Sequence, residues 1–385
     1  MTSGSGQLRE LYLDPVGAGV PWLLDPERPQ VVAALRAAAT RTGDDPCDVD
    51  ALVADLPDLL VLLRERHFGL ATGAVSDPGL DAWAQSWRAR LTRERPATWG
   101  AGLGTAFHDL RQAVGDLHLT AVGESIDLLR AVYPRRDEPV YGLDPGPPIE
   151  EQVVGGVLTL RVRSFVPTGD GEQALVRWRD GHQRHFRYDR IIVDVRGNGG
   201  GGSTYARDWI TDHVPEPFSF VAGRRWLLDG EPLIIWNYGV TIDSVHGRQA
   251  VPREFIDRWP SPGPDSALTV DTEQWRFARG NTPWHGRMLV LTDRRTASAG
   301  EGVAWLLRQA FDTRIVGGRS AGMVTFGDIV PYLLPRSGLQ VTLASRHDDF
   351  GDVEMAGLPV DVPLDPRTPL AEIAADVDRL HEGRS

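Results

Sequence analysis

Two stretches of this chain share one pattern, and that pattern restricts the fold more than any other feature. Ile191 to Val195 is a short apolar run that passes through glycines into a helix-like segment, Ser203 to Val214. Met288 to Leu291 repeats the order and leads into Ala299 to Phe311. An apolar run followed by a turn and a helix reads as a buried strand with its crossover helix. Two such units predict an α/β fold in which helices cover a parallel sheet. Leu158, Leu160 and Val162 alternate with Thr159, Arg161 and Arg163, which predicts a further strand buried on one face only.

Upstream the texture is different. Between about Pro29 and Val132 the apolar residues fall at helical spacing, as in Trp83, Trp87 and Leu91, or Leu103, Phe107, Leu110 and Val114. The segment Arg135 to Pro148 is rich in proline, glycine and charge, as a connection between units should be. A chain of 385 residues also exceeds what one core usually supports. The expectation is a helical N-terminal domain over 1–134, a linker over 135–152 and a catalytic α/β domain over 153–385. Pro215 to Trp284, aromatic and proline-rich with weak periodicity, is expected to shape a substrate cleft. Thr368 to Leu380 reads as a helix with Pro369 in its first turn.

Composition removes several function classes. The formal charge is -12, which argues against nucleic acid as a partner. The chain contains no lysine, so its 41 basic residues are all arginines. That excludes a Walker phosphate loop, a pyridoxal Schiff base and a Ser-Lys dyad. The single cysteine, Cys47, cannot form an internal disulfide, and Met1 to Pro15 lacks a charged-then-apolar leader pattern. No apolar run approaches the roughly 20 residues of a membrane span. These features predict a cytoplasmic protein with neither a nucleic-acid nor a membrane partner.

Two segments carry chemistry. In Asp293-Arg-Arg-Thr-Ala-Ser-Ala-Gly-Glu301, Ser298 falls on a turn at the start of a helix, among small neighbours. Such a serine can be a nucleophile beside free N–H groups, or simply a helix cap. In Val193-Asp-Val-Arg-Gly-Asn-Gly-Gly-Gly-Gly202 a strand runs into four glycines, whose bare N–H groups suit an oxyanion better than a phosphate once the Walker lysine is excluded.

Together these two segments resemble the C-terminal processing peptidase and tricorn core family of serine peptidases, in which an Asp-x-Arg-Gly-Asn-Gly-Gly-Gly loop precedes a Thr-Ala-Ser-Ala-x-Glu turn. The resemblance runs from about Val157 to Val362. It implies a ClpP/crotonase-like core and acyl transfer on Ser298, with peptide or protein as substrate, no cofactor and no metal. It places the oxyanion donors at Ala299 and at Gly199 or Gly200. The processing branch carries a lysine 25 residues after the nucleophile, where this chain has Met323. The tricorn-like branch uses a histidine and a glutamate instead. Val114-Gly-Asp-Leu-His-Leu119 is similar to the family's Leu-x-Asp-x-His element and nominates His118 as base. His67, at the helix end Arg64 to Gly69, is an alternative base that the sequence does not separate from it. Glu354, in Asp352 to Asp361, matches the family's Glu-x-x-Gly-Val-x-Pro-Asp element with Pro359 displaced by one place.

Other readings stay open at this stage. Gly318-Arg-Ser-Ala-Gly322 matches a nucleophile elbow, which would make the protein an esterase on Ser320, although Val324 to Leu333 reads as strand and turn rather than helix. The resemblance instead puts Ser320 and Gly322 against the substrate. A catalytically inactive binding protein on the same scaffold is a second alternative. His182 and His185 lack a third metal ligand and are read as part of a solvated hairpin. The interval from Val122 to Val153 is too short for a full PDZ domain. Homo-oligomerisation and the choice between endo- and exopeptidase action stay undetermined.

Overall fold

A computed structural model describes residues 33–34, 37–38, 40–124, 146–167, 170–228, 230–233 and 268–383. Most of the expected linker, and residues 234–267 of the Pro215 to Trp284 segment, lie outside the described residues. The chain divides into two compact units, one of Tyr133–Ala222, Gln274–Thr325 and Asp349–Ser385, the other of Met1–Val132, Gly223–Glu273 and Phe326–Asp348.

The first of these units is built on a six-stranded sheet. Its strands are β2 (Ile149–Val154), β3 (Val157–Val162), β4 (Arg190–Asp194), β8 (Arg287–Thr292), β9 (Thr313–Gly317) and β12 (Val362–Pro363). Their spatial order is β12-β9-β8-β4-β3-β2, parallel throughout except for the β2–β3 hairpin. Successive residues of each strand feed opposite cores. Ile191, Val193, Met288, Val290 and Ile315 pack on the face that carries helix Ala299–Ala310. Ile192, Leu289, Leu291 and Val316 pack on the other, against Leu370, Ile373, Val377 and Leu380 of two short C-terminal helices. Full burial of Val303, Leu306 and Leu307 stabilises the first layer by about 1.5–3 kcal/mol per side chain.

This three-layer arrangement explains a departure from the sequence reading. β3 is buried along its whole length rather than on one face, because β2 and β4 flank it and helices cover both sides. The polar residues survive there by local pairing, as Thr159 Oγ1 donates to Gln152 O at 3.1 Å. His182 and His185 are not in a solvated hairpin either. They lie in a helical turn, His182–His185, after helix Asp170–Asp180. His185 is fully enclosed and accepts the Trp209 indole N–H at 3.0 Å.

The second unit is not helical alone. Helices Val49–Arg66, Leu80–Glu94 and Ala106–Val114 present an apolar face that also needs a cover. Strands from the C-terminal half supply it: Leu52, Leu56 and Leu59 share one core with Val330, Tyr332, Val341 and Leu343. β11 (Gln340–Asp348) is central to that sheet, with β10 (Phe326–Leu333) along one side. β1 (Thr120–Ala121) and β5 (Phe218–Leu228) share the other side. β6 (Glu231–Pro232) and β7 (Leu268–Phe277) both pair with β5. The division differs from the expected boundaries on two points: residues 149–152 of the expected linker belong to β2, and among the described residues 223–228, 230–233, 268–273 and 326–348 group with the N-terminal unit. Among the described residues no helix is long and apolar enough to cross a membrane.

Candidate active site

In the parallel-sheet unit, the ends of three adjacent strands converge. The C-terminal ends of β4, β8 and β9 open into Val195–Gly202, Asp293–Ser298 and Gly318–Thr325 respectively. Loops at the carboxyl ends of parallel strands are the usual place for a site in such sheets.

Ser298 occupies the first turn of helix Ala299–Ala310, but not as an ordinary cap. A capping serine normally has extended backbone angles, whereas Ser298 has φ 52° and ψ -121°. Gly300 N–H donates to Ala297 O at 2.9 Å, closing a turn in which Ser298 holds the first central position. Those angles are those of a type II′ turn, a place normally given to glycine. A non-glycine residue held there is strained by about 1–3 kcal/mol. The distortion is held by the neighbours: Ala297 N–H donates to Asn198 O at 2.9 Å, Thr296 Oγ1 to Val195 O at 2.9 Å, and Gly197 N–H to Asp293 Oδ1 at 3.0 Å. The glycine loop and the serine turn are thus stitched together residue by residue.

Gly200 shows how closely they meet. A Cβ there would lie 2.8 Å from Ser298 Cβ and 3.2 Å from Ala299 N, and φ is 110°. Gly200→Ala is therefore expected to lower kcat/KM about a hundredfold or more and to destabilise the fold by about 1–3 kcal/mol. Steady-state kinetics and denaturant unfolding check the two figures. The Gly200 N–H, however, is already taken by Asn198 Oδ1 at 2.8 Å. It is therefore not free to hold an oxyanion as expected from the sequence, and the glycine serves close approach instead. Gly199 is exposed and its N–H makes no hydrogen bond to the described residues. Ala299 begins the helix, so its N–H has no intrahelical acceptor.

Glu301 is the residue that sequence reasoning passed over. It is fully enclosed, and its two oxygens accept four hydrogen bonds: Ser298 N–H at 2.9 Å, Met323 N–H at 2.8 Å, Gly322 N–H at 2.8 Å and Ser320 Oγ at 2.5 Å. Burial pushes its carboxyl up, and the four donors act against that shift. The Ser-x-x-Glu spacing of a capping box was the available signal. Asn198 was equally hidden: its Nδ2 donates to Val162 O at 2.9 Å, and nothing in the sequence marks that contact.

These bonds settle the standing of Ser320. Its hydroxyl donates to Glu301 and accepts the Leu358 N–H at 2.7 Å, in a residue only 5% exposed. A hydroxyl so engaged does not meet substrate, either as an esterase nucleophile or as a binding group, and the segment after it is strand β10, not a helix. Gly322 is likewise interior, where a Cβ would come 2.8 Å from Gly357 N. Glu354 Oε2 accepts the N–H groups of Val324 at 2.9 Å and Thr325 at 2.8 Å. Two carboxylates thus hold the four consecutive N–H groups of residues 322–325.

The two candidate histidines both lie in the other unit and share one carboxylate. His67 donates through Nε2 to Asp116 Oδ2 at 2.9 Å, while its Nδ1 accepts the Leu70 N–H at 3.3 Å. It is completely buried with both nitrogens engaged. His118 follows Gly115, whose φ of 72° ends helix Ala106–Val114. Its backbone N–H donates to Asp116 Oδ1 at 2.7 Å, and its Nδ1, 3.7 Å from that oxygen, has no hydrogen-bond partner among the described residues. The loop is fixed by the enclosed pair Arg111–Glu124, with Arg111 Nη1 also on Leu119 O at 3.0 Å and Ala121 N–H on Glu124 Oε1 at 2.8 Å. Burial holds the His118 imidazole below the usual histidine range, while Asp116 and Asp328 pull it back up. Burial thus favours the neutral ring, and its Nδ1 is unused, as suits a general base.

The family model described as "Peptidase family S41" matches residues 156–363, more than half of the chain. No curated protein matches it. Among solved structures it is similar to a putative peptidase from Parabacteroides merdae ATCC 43184, at 16% identity and a TM-score of 0.52, covering 86% of this chain and 93% of that one. Mature CPAF complexed with lactacystin is similar at 12% identity and a TM-score of 0.54, covering 86% and 98%. At these identities the structural likeness is one of fold.

Proposed function

The chain belongs to peptidase family S41, a serine peptidase family, and we propose that it cleaves peptide bonds through an acyl-enzyme on Ser298, with His118 as base and Glu354 as the carboxylate that orients it. The observation that carries this reading is the backbone of Ser298. A strained φ of 52° at a helix start, pressed against Gly200, is what a nucleophile needs and a capping serine does not. His118 takes the Ser298 proton as Oγ attacks the peptide carbonyl. The resulting oxyanion is received by the N–H groups of Ala299 and Gly199. His118 then protonates the leaving amine, and water releases the acyl group. The unpartnered Nδ1 of His118 is the atom that Glu354 would meet. His67 orients Asp116 rather than Ser298 in this scheme, because both its nitrogens are committed. The single cysteine fits a reducing compartment, and we place the protein in the cytoplasm on that ground.

A fluorophosphonate probe mapped by peptide mass spectrometry tests the assignment. Label is expected on Ser298, lost in His118→Ala and retained in Ser320→Ala; label on Ser320 would overturn it. The pH profile tests the base. Since burial lowers the His118 value, kcat/KM should fall on the acid side with a midpoint below about 6.5. The sign for stability agrees: the unfolded chain binds the proton first, so stability is lost as pH falls through that value. An acid limb above about 7 would argue against His118.

A further inference from the structure

Strand β10 carries a second strained residue. Gly327 pairs with Arg346 and Ile329 with Ala344, yet Asp328 between them has φ 52° and takes no part in the ladder. Its carbonyl instead accepts the Ser345 hydroxyl at 2.6 Å. A left-handed residue inside a strand turns its side chain out of the regular alternation. β11 links it to the base: Ser345 lies three residues from Thr342, whose hydroxyl donates to His118 O at 3.2 Å.

Among the described residues the surrounding charges do not balance. Arg346 is committed through Nε to Asp348, at 2.7 and 2.8 Å, and through Nη1 to Glu273 at 2.8 Å. Arg225 pairs with the same Glu273 at 3.1 Å. Two guanidinium groups therefore face three carboxylates, and both are bonded to Glu273 or Asp348. The half-buried Asp328 carboxylate has no hydrogen bond or ion pair among the described residues. A carboxylate partly withdrawn from water and bonded to no cation among the described residues favours a cationic partner. Two nearby groups carry an orphaned nitrogen: Arg225, at Nε, and His118, which is more than nine-tenths buried.

We infer that Asp328 is a specificity residue that receives a cationic group of the peptide, an arginine or lysine side chain or an α-ammonium, close to the bond that His118 helps to cleave. The inference rests on the peptidase reading above. Two further observations agree with it. The fields of Asp328 and His118 act on each other, and the Asp328 carboxyl is raised by burial despite Arg346 and Arg225, as expected of a group awaiting a cation. Asp116 acts on His118, and Arg346, Arg225, Glu273 and Asp348 act on Asp328.

The test uses the full chain with Ser298→Ala, so that peptides bind without turnover. Peptides with arginine or lysine are compared by fluorescence anisotropy with citrulline or norleucine isosteres, and free amino termini with acetylated ones. The cationic member of at least one pair should bind about tenfold tighter, and which pair it is names the source of the cation. Adding Asp328→Asn should bring that ratio close to one, and Asp328→Glu should restore most of it. Asparagine suits the first variant because it too adopts left-handed angles. In the active enzyme the kcat/KM ratio for the same peptides should collapse with it, a readout from which any general loss of activity cancels. Equal binding of all pairs by the parent protein overturns the inference without recourse to a variant. So does a preference that survives Asp328→Asn. Failure of the peptidase reading would show separately, as absence of Ser298 labelling.

Discussion

Ser298→Ala should lower kcat by about 10⁴- to 10⁶-fold, and Ser298→Gly should be equally inactive yet more stable than the alanine variant. The first effect follows from removing the only atom to which the acyl group attaches. The second follows from the backbone. Alanine keeps a Cβ at φ 52° and so keeps the strain, whereas glycine adopts that angle freely. Relief of about 1–3 kcal/mol is partly offset by the greater freedom of glycine in the unfolded chain, about 0.5–1 kcal/mol, so a net gain of about 1 kcal/mol is expected. Urea unfolding of the two variants measures it directly. Comparing variants that both lack the hydroxyl removes hydrogen bonding from the difference. A plain helix cap also favours glycine over alanine, by up to about 1 kcal/mol, but if glycine were the less stable of the two, the backbone of Ser298 would carry no strain, and the strongest structural argument for catalysis would fall.

The contrast between strain and stability also shows where the sequence could be read and where it could not. Strand–turn–helix order at 191–214 and 288–311 was legible because buried parallel strands are short apolar runs and helices follow them with a different period. The serine turn and glycine loop were legible because small residues are required wherever two backbones meet as closely as Gly200 and Ser298 do. Hydrogen-bond partners were not legible. That Gly200 is occupied by Asn198, that Ser320 is closed by Glu301 and Leu358, and that both histidines turn on Asp116 are facts of tertiary placement. The same is true of the division into units. Nothing local in 326–348 says that its apolar residues will cover helix Val49–Arg66 rather than extend the parallel sheet. Periodicity reports that a face is apolar, not which face it meets.

Glu301 should prove as important to the fold as Ser298 is to the chemistry. Glu301→Ala is expected to destabilise the protein by about 3–5 kcal/mol and to lower kcat/KM at least a hundredfold in whatever folds. Removing the side chain strands four donors in a fully enclosed site, and each unmatched buried donor is unfavourable by about 1–3 kcal/mol. Entry of water moderates the sum, which is why the expectation lies below it. Glu301→Gln preserves the shape but exchanges one acceptor oxygen for an N–H₂ group facing donors, so it should be destabilising by about 2–4 kcal/mol rather than neutral. Ser320→Ala removes a single arm of the same network. It should be destabilising by about 1–3 kcal/mol and keep kcat/KM within tenfold of the parent, since only the bonds to Glu301 and from Leu358 are lost. Thermal and denaturant unfolding, run beside kinetics, separate the three variants. The ordering matters more than any one value. A clamp that joins the Ser298 turn to residues 320–323 predicts that damage to catalysis grows with the number of donors released. A mere cap on the helix predicts a loss near 1 kcal/mol for all three changes, with catalysis barely altered.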